Sequence, residues 1–396
     1  MKKRLSILIY SLEGDGAERV VSILLGELKD EYEIFLVLMH DRIDYEIPKE
    51  IEVIVLGEGE YKESGIKKLA KLPFLAFSYK EFCKNYEIDI SLSFMNRPNY
   101  INVLSKSYGN EAVCIISERI APSKEYGTSS MKDKVNRYLI KSLYPKADMI
   151  LPNSEGIKAD LIENFKIPSG LIHVVYNPID LDRIDRLKDE KCSFPFDYFT
   201  YINIGRLHPQ KNQKMLIEAF YMSNDPDSRL IIIGEGDLRE ELEKFIEDLG
   251  LEDRVFLLGR QSNPFKYLSK ADAFVLSSDY EGFPNVLLES LACETAVIST
   301  DCKSGPREIL AVQNGTSFNL QSGIELCKYG ILTPVGDAQS MSEAMRRVKE
   351  DAELRKNYEK LGKMRVMDFE KSKIVDRYRN FIELAYCKSG AVSCAR

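Results

Sequence analysis

Histidine is scarce in this sequence, and its cysteines are widely spaced. The 396 residues include 3 His and 8 Cys, and no two cysteines form a C-x-x-C pair. Structural zinc sites are built from such pairs, or from Cys and His at similarly short spacings. A zinc site is therefore not expected, and the cysteine pattern favours a cytoplasmic protein.

Long apolar runs are also missing. No run approaches the ~18–20 residues that a bilayer-spanning helix needs, so such a helix is excluded. The apolar stretch from Leu5 to Leu12 imitates a signal peptide only briefly, because Glu13, Gly14 and Asp15 interrupt it and no small-residue cleavage site follows. We interpret this stretch as the first strand of the fold.

A general excess of positive charge is absent as well. The chain carries 55 Lys and Arg against 62 Asp and Glu, for a net charge of −7, which argues against a nucleic-acid partner. Two segments nevertheless run against this balance. Residues 62–84 and residues 124–146 each hold six basic and two acidic side chains, a local charge of +4.

What is present is an alternation of strands and helices in both halves of the chain. Short apolar runs predict strands at 33–39, 51–56, 88–94, 113–117 and 149–152, and again at 200–205, 229–234, 254–258, 273–277 and 296–300. Between them lie helical patterns, such as the apolar face formed by Val20, Val21, Leu24, Leu25 and Leu28. This alternation predicts an α/β protein of two facing, doubly wound Rossmann-like domains. Ligands of such sheets bind at the carboxyl ends of the strands, so we expect the active site in the interdomain cleft.

The expected boundaries follow changes in pattern. We predict an N-terminal domain over 1–180 and a linker over 181–199, where no clean period is visible. A C-terminal domain over 200–370 follows, then a helix over 371–387 that returns to the N-terminal domain. Residues 388–396 are expected to be a loose tail.

Three strand ends carry candidate binding residues. The first is the turn Gly14-Asp15-Gly16, where glycines and a helix N-terminus suit an anion, although a tight turn explains it equally well. A dinucleotide fingerprint would need glycine where the chain has Arg19. The second is Gly205 to Lys211, in which Arg206 and Lys211 could neutralise a diphosphate. Solvated loop charges are the simpler explanation of that pair taken alone.

The third strand end is the most informative. Glu281 precedes Gly282, and Pro284 stands at the start of a helix whose free N–H groups suit phosphate. Glu289 lies about one and a half turns inside this helix, in an apolar run, which is unusual for a carboxylate. We expect this stretch to bind a donor through Gly282, Phe283, Pro284, Asn285 and Val286, with Glu281 and Glu289 accepting hydroxyl hydrogen bonds.

In their order and spacing these elements resemble the family 4 glycosyltransferases of the GT-B fold. The likeness lies in the E-x7-E pair Glu281 and Glu289, in the G-R-x4-K element from Gly205 to Lys211, and in the glycine turn. It implies a retaining transferase that uses a UDP-sugar. It further implies that Arg206 and Lys211 hold the donor diphosphate, that Glu281 contacts the sugar and that Glu289 binds the ribose.

Other segments, including 91–101, 136–148 and 151–154, are similar to one subgroup of this family. That subgroup adds α-1,4-linked N-acetylgalactosamine to an undecaprenyl-diphosphate-linked disaccharide in bacterial N-glycan assembly, which implies a polyprenyl-diphosphate-linked acceptor here. Three alternatives stay open: an α-glycosyltransferase for another lipid-linked sugar or lipopolysaccharide, a nucleotide-sugar 2-epimerase, and a non-enzymatic sugar-nucleotide sensor.

One position departs from the family pattern. Many members have a histidine after the fifth strand of the first domain, where this chain has Glu118 and Arg119. Glu118 is thus a further catalytic candidate, facing either the donor phosphate or the acceptor. The D-x-D pairs at 180–182 and 225–227 fit a helix cap and a polar turn, so no metal cofactor is expected.

A last feature concerns the membrane. In 73–86 one helical face is accounted for by ordinary packing on a sheet, which leaves Phe74 and Phe77 beside the lysines of the first basic segment. Apolar groups next to clustered lysine suit the headgroup region of an anionic bilayer. A polyprenyl acceptor stays in the membrane, so we expect a peripheral protein on the inner face of the cell membrane. The residues expected to contact membrane and acceptor are Lys67, Lys68, Lys71, Phe74 and Phe77.

Overall fold

The computed structural model describes residues 2–14, 16–57, 69–311 and 319–390. These residues form two compact units. Unit 1 contains the described residues up to Pro178 together with those from Lys371 onward, and unit 2 is Ile179–Glu370. Among the residues described, no helix is both long and apolar enough to cross a bilayer.

Unit 1 is built on a six-stranded sheet in the order β3-β2-β1-β4-β5-β6, with every pair parallel. Its register places Ile7 between Leu36 and Leu92. The inner strands are buried along almost their whole length, as expected for a parallel sheet covered on both faces. The strands are β1 Lys3–Ile9, β2 Tyr32–Leu38, β3 Glu52–Val55, β4 Ile90–Phe94, β5 Val113–Ser117 and β6 Met149–Ile150.

Helices cover both faces of this sheet. The predicted face of the first helix is fully buried against it, from Val20 to Leu28. Ser130 and Ser154 cap two later helices by accepting hydrogen bonds from Asp133 N and Ile157 N. The helices are α1 Gly16–Leu28, α2 Leu72–Asn85, α3 Asn96–Ser107, α4 Pro122–Glu125, α5 Met131–Leu143 and α6 Glu155–Phe165.

Unit 2 repeats the plan with strand order β12-β13-β11-β10-β7-β8-β9. The two doubly wound units confirm the predicted fold class. One pair, β12–β13, was not predicted. It is antiparallel because the connection from Cys327 to Gly330 is too short for a parallel crossover. The strands are β7 Phe199–Ile204, β8 Ser228–Ile233, β9 Val255–Gly259, β10 Ala273–Leu276, β11 Ala296–Thr300, β12 Glu325–Leu326 and β13 Ile331–Thr333.

The stretch 181–199, expected to be a linker, begins with a helix of unit 2. Asp180 caps this helix by accepting a hydrogen bond of 3.1 Å from Arg183 N, and Ile184 is fully buried. Seven residues are too few to show a helical period in the sequence. The helices of unit 2 are α7 Leu181–Leu187, α8 Gln213–Ser223, α9 Arg239–Asp248, α10 Phe265–Leu268, α11 Asn285–Ala292, α12 Pro306–Leu310, α13 Ala338–Glu350 and α14 Ala352–Val366.

The last helix, α15 (Lys371–Lys388), belongs to unit 1 although it follows unit 2 in the chain. Its apolar residues Ile374, Val375, Tyr378 and Ile382 join the core formed by α1 and one face of the first sheet. Polar contacts reinforce the packing, since Tyr32 donates a 2.6 Å hydrogen bond to Glu383.

Candidate active site

The candidate donor site of unit 2 begins where β7 ends. Lys211 folds back across this strand end, so that a Cβ on Gly205 would lie 3.5 Å from three of its side-chain carbons. Its Nζ then reaches Glu281 Oε1 at 2.5 Å. Two residues that lie 70 positions apart in the chain therefore form a largely buried ion pair, in which the lysine is 19% exposed and the glutamate 8%.

Two loops hold this pair in place. Strand β10 lies next to β7 in the sheet, so the loops that leave their carboxyl ends are neighbours. Ser277 Oγ donates to Lys211 O at 2.7 Å, and Asp279 N donates to Gln210 O at 2.9 Å. Gln210 Nε2 donates in turn to Tyr280 O at 2.8 Å. The strand order therefore joins the G-R-x4-K and E-x7-E elements into one structure.

Glu281 is fixed from other directions as well. Ser278 Oγ donates to its Oε1 at 2.6 Å, while Ser304 Oγ donates to its backbone carbonyl at 2.5 Å. The second bond attaches the Glu281 loop to the loop that follows β11. A carboxylate held in this way can accept hydroxyl hydrogen bonds with little reorganisation.

Sequence reasoning missed one residue under this loop, Gly305. Its φ of 92° lies in the region that favours glycine, and a Cβ here would lie 2.5 Å from Pro284 Cδ and 2.9 Å from Gly282 O. Only glycine fits beneath the turn that leads into α11. The signal available in the sequence was the dipeptide Gly305-Pro306, which marks a specific turn.

Helix α11 starts at this turn. Pro284 is extended, and Asn285 and Val286 open the helix, so their N–H groups point out of its N-terminal end. Glu289 is largely buried within the helix. The Phe283 ring packs on Phe369, with ring centroids 5.4 Å apart, so its side chain belongs to the packing of unit 2 and only its backbone is left for a ligand.

Arg206 is exposed at the same strand end, where its carbonyl accepts a 2.9 Å hydrogen bond from Gln213 Nε2. The predicted residues of unit 2 are therefore grouped on the linked ends of β7 and β10. Gly14 and Gly16 belong to unit 1, where both are exposed at the turn between β1 and α1.

Glu118 follows β5 in unit 1 and is 1% exposed. Tyr144 OH lies 2.5 Å from its Oε2, and Arg119 N donates to its Oε1 at 3.0 Å. Burial is the main cause that raises the pKa of Glu118 to about 8, and the negative charge of Glu125 adds to the rise. The structure thus places this candidate inside unit 1, bonded to other side chains.

Arg119 is also buried. Its guanidinium donates to Asn177 Oδ1, to Ser117 Oγ and to Tyr378 OH, and it lies over the Phe94 ring. Tyr378 belongs to α15, so this side chain connects the last helix to the end of β5. We assign Arg119 to the packing of α15.

The expected membrane residues fall partly within the structure. Phe74 and Phe77 lie on α2 and are 68% and 52% exposed, while Leu75, Tyr79 and Phe82 of the same helix are buried in the core. Lys71 stands at the N-terminus of α2. Lys67 and Lys68 lie outside the described residues.

Both D-x-D pairs have structural partners. Asp180 caps α7, and Asp225 accepts hydrogen bonds from Ser228 Oγ at 2.5 Å and from Lys349. Asp225 also accepts from Asp227 N at 3.0 Å. Each pair therefore stabilises local structure of unit 2.

Comparison with known families gives two matches that together span nearly the whole chain. Residues 14–183 match the model of "Glycosyltransferase Family 4", and residues 186–365 match that of "Glycosyl transferases group 1". The boundary between the two matches falls within a few residues of the boundary between the two units.

Two relatives are similar over a large part of their length. The N-acetylgalactosamine-N,N'-diacetylbacillosaminyl-diphospho-undecaprenol 4-alpha-N-acetylgalactosaminyltransferase of Campylobacter jejuni is 41% identical over 94% of this chain and 97% of its own. An uncharacterized glycosyltransferase of Methanocaldococcus jannaschii is 33% identical over 69% of this chain and 72% of its own.

Solved structures share the fold at lower identity. Sucrose-phosphate synthase from Thermosynechococcus elongatus superposes with a TM-score of 0.79 at 18% identity, covering 98% of this chain and 100% of its own. Anabaena HepE in complex with UDP and glucose superposes with a TM-score of 0.75 at 19% identity, covering 96% and 99%. At this identity the likeness establishes the fold.

Proposed function

This chain belongs to the family 4 glycosyltransferases of the GT-B fold, and from that membership we propose that it transfers N-acetylgalactosamine from UDP-N-acetylgalactosamine to an undecaprenyl-diphosphate-linked disaccharide. The new bond is α-1,4, and the product is an intermediate of N-linked protein glycan assembly. The observation that carries the proposal is the 41% identity to the Campylobacter jejuni transferase across nearly the full length of both chains.

The linked loops of unit 2 are suited to hold the donor. Arg206 offers a planar fork and Lys211 a point charge, and both stand at the end of β7 within reach of a diphosphate. The N-terminal N–H groups of α11 add partial positive charge. We assign Glu281 to the sugar hydroxyls and Glu289 to the ribose. Gly14 and Gly16, at the turn before α1 in unit 1, stay predicted anion-binding residues.

The same groups favour the chemical step. As the bond to the anomeric carbon breaks, negative charge grows on the leaving diphosphate, and fixed cations and N–H dipoles stabilise this charge where it develops. The acceptor hydroxyl attacks on the face that the diphosphate leaves and passes its proton to that leaving group, so the configuration is retained. Lys211 contributes on the leaving-group side, and its ion pair with Glu281 at 2.5 Å fixes its direction.

We propose that this step needs no metal ion. In the site assigned here, Arg206, Lys211 and the α11 N-terminus perform the charge stabilisation that a divalent ion would otherwise supply. The D-x-D pairs, whose carboxylates could otherwise bind a metal ion, are engaged in a helix cap and in a turn.

Membrane association at the inner face of the cell membrane is a further part of the proposal. Helix α2 exposes Phe74 and Phe77 beside Lys71, Lys80 and Lys84, while its opposite face is packed into unit 1. Aromatic rings next to lysines can enter the headgroup region of an anionic bilayer, where each basic residue contributes about 1 kcal/mol. The second basic segment contributes an exposed Met131 and an exposed Tyr138 on α5.

The decisive experiment is a donor and acceptor matrix. Purified protein is incubated with the UDP derivatives of N-acetylgalactosamine, galactose and glucose, each with polyprenyl-diphosphate mono-, di- and trisaccharides, with and without excess chelator. We expect one α-1,4-linked N-acetylgalactosamine on the disaccharide and no effect of the chelator. Transfer of another sugar, donor consumption without acceptor, or donor binding without turnover would each overturn the proposal in favour of another lipid-linked transferase, an epimerase or a sensor.

A further inference from the structure

A line of hydrogen bonds runs from the core of unit 1 to its surface at the carboxyl ends of β4 and β5. Glu118 is buried and contacts Tyr144, which is also buried. Tyr144 contacts Asn96 at the start of α3, and Asn96 contacts the exposed Glu125 at the end of α4. In Rossmann-like sheets this edge is the one that faces ligands.

The orientation of the Asn96 amide is fixed by its outer partners. Its Nδ2 lies 2.7 Å from Glu125 Oε2 and 2.9 Å from Tyr126 OH. Because a carboxylate oxygen only accepts, the nitrogen must face Glu125. The amide oxygen therefore faces Tyr144 OH, at 3.2 Å, and the tyrosine is the donor of that hydrogen bond.

Counting hydrogens then constrains Glu118. The Tyr144 hydroxyl has a single hydrogen, yet it lies beside two acceptors, Asn96 Oδ1 and Glu118 Oε2, the latter at 2.5 Å. Asn99 Nδ2 donates to the Tyr144 oxygen at 3.3 Å. This bond provides no hydrogen for the contacts of Tyr144 with Asn96 and Glu118. Both contacts are satisfied together only if Glu118 carries a proton and donates it to Tyr144, which leaves the tyrosine hydrogen for Asn96.

We propose that Glu118 is a positioning residue for the acceptor: its protonated carboxyl directs the Tyr144 hydroxyl to Asn96, and Asn96 thereby holds the Glu125 carboxylate in place for a hydroxyl of the acceptor sugar. The inference rests on the proposed function, because it assigns the acceptor to this edge of unit 1. It makes Glu125 the residue that touches the sugar, and it keeps Glu118 out of direct contact.

Burial is the main cause that favours a proton on the Glu118 carboxyl, and it outweighs the backbone N–H groups of Arg119 and Ile120, which favour the charged form. Five titratable or charged groups face Glu118. They are Tyr144, Tyr100 on α3, Glu125 at the end of α4, Tyr126 just after α4, and the adjacent Arg119. The three tyrosines have pKa values raised by burial, so they stay neutral. The Arg119 guanidinium bonds to Asn177, Ser117 and Tyr378. With a Glu118 pKa of about 8, the carboxyl is protonated at neutral pH and ionises in mild alkali.

The first test is the pH profile of kcat/KM for the lipid acceptor. We expect a loss of about tenfold in the wild type as pH rises from 7 to 9.5, the effect of one misdirected hydrogen bond. Glu118→Ala should show that loss already at pH 7. Glu118→Gln should recover most of it, because its amide donates to Tyr144, and its activity should not fall in alkali. Glu111→Gln, which alters an exposed carboxylate just before β5, should keep the wild-type profile.

Tyr144→Phe and Glu125→Gln extend the test along the line. Tyr144→Phe removes the hydroxyl and should lower kcat/KM about tenfold at every pH. Glu125→Gln should raise KM for the acceptor while leaving KM for the UDP-sugar unchanged. If the Gln variant of Glu118 keeps the wild-type alkaline loss, or if Tyr144→Phe is fully active, the proposal is overturned.

An infrared titration separates this proposal from the proposed function. The difference spectrum between pH 6 and pH 10 should contain a carboxylic-acid band in the wild type that is missing in Glu118→Gln. If the band is absent from the wild type, the proposal that Glu118 is protonated is overturned, even if the enzyme is active. Failure of the enzyme to use any lipid-linked acceptor, with the band present, would instead contradict the proposed function.

Discussion

At the scale of single residues, Lys211 is the residue on which the proposed donor site depends most. It is largely buried, it contacts Glu281, and no other lysine among the described residues forms an ion pair with that glutamate. Losing a charge-assisted bond to a buried diphosphate costs about 2–4 kcal/mol of transition-state stabilisation.

Lys211→Met should therefore lower kcat/KM by roughly 30- to 1,000-fold without unfolding the protein. Lys214→Met is the matched control, because Lys214 is an exposed lysine of α8, three residues further on, that pairs with Glu241 of α9. Steady-state kinetics and circular dichroism are the measurements. A Lys211 variant within threefold of the wild type would remove this residue from the site.

Gly305 offers a second test at this scale. Gly305→Ala combines an unfavourable positive φ with a clash against Pro284 and Gly282, so we expect a loss of about 1–3 kcal/mol of stability and a higher KM for the UDP-sugar. Gly323→Ala is the control, since φ there is 72° but nothing lies within 4 Å of its Cβ position. Equal donor affinities in the two variants would show that Gly305 does not support the α11 turn.

At the scale of secondary-structure elements, helix α2 has two different faces. One face packs Leu75, Tyr79 and Phe82 into the core of unit 1, and the other exposes Phe74 and Phe77. Phe77 meets Tyr108, with ring centroids 6.4 Å apart, but both rings stay exposed. Exposed apolar groups of this kind can mark an interaction surface.

The double variant Phe74→Ser with Phe77→Ser should therefore fold normally and bind anionic liposomes at least tenfold more weakly. Tyr221→Ser with Met222→Ser, on the exposed end of α8, is the control for the loss of surface apolar groups. Liposome flotation at low and high salt measures the effect. Equal binding by the two double variants would contradict the proposal that α2 faces the membrane.

At the scale of the whole molecule, the buried Glu118 couples stability to pH. Its pKa of about 8 in the folded protein lies above the ordinary value of 4.5. Between these values the folded state keeps a proton that the unfolded state has lost, so stability falls as pH rises from about 4.5 to 8 and is level above 8. The total effect is on the order of 5 kcal/mol.

Hydrogen exchange of the β5 amides, corrected for intrinsic rates, should show unit 1 opening more readily at pH 8 than at pH 6. A two-unit chain need not unfold in one step, so a local measurement is preferable to a single melting temperature. Glu118→Gln should lose most of this pH dependence. If the opening free energy of Glu118→Gln changes with pH as steeply as that of the wild type, the effect belongs to other groups.

The fold class and the family could be predicted from local patterns in the chain. The alternation of apolar strands with helical faces gave two doubly wound units, because burial on one helix face or on both sides of a strand leaves its period in the chain. The Glu281 to Glu289 element and the Gly205 to Lys211 element gave the family, because each is a contiguous motif tied to one strand end.

Contacts between residues that are distant in the chain could not be predicted, because they form only in the folded protein. The Lys211–Glu281 pair follows from the adjacency of β7 and β10, and the need for glycine at 305 follows from the turn packed above it. Glu118 could be identified as a candidate from the sequence, but its protonation state could not. That state depends on burial and on Tyr144, which lies 26 residues away in the chain. A carboxylate's charge is set by the solvent and partners around it, and these exist only once the chain has folded.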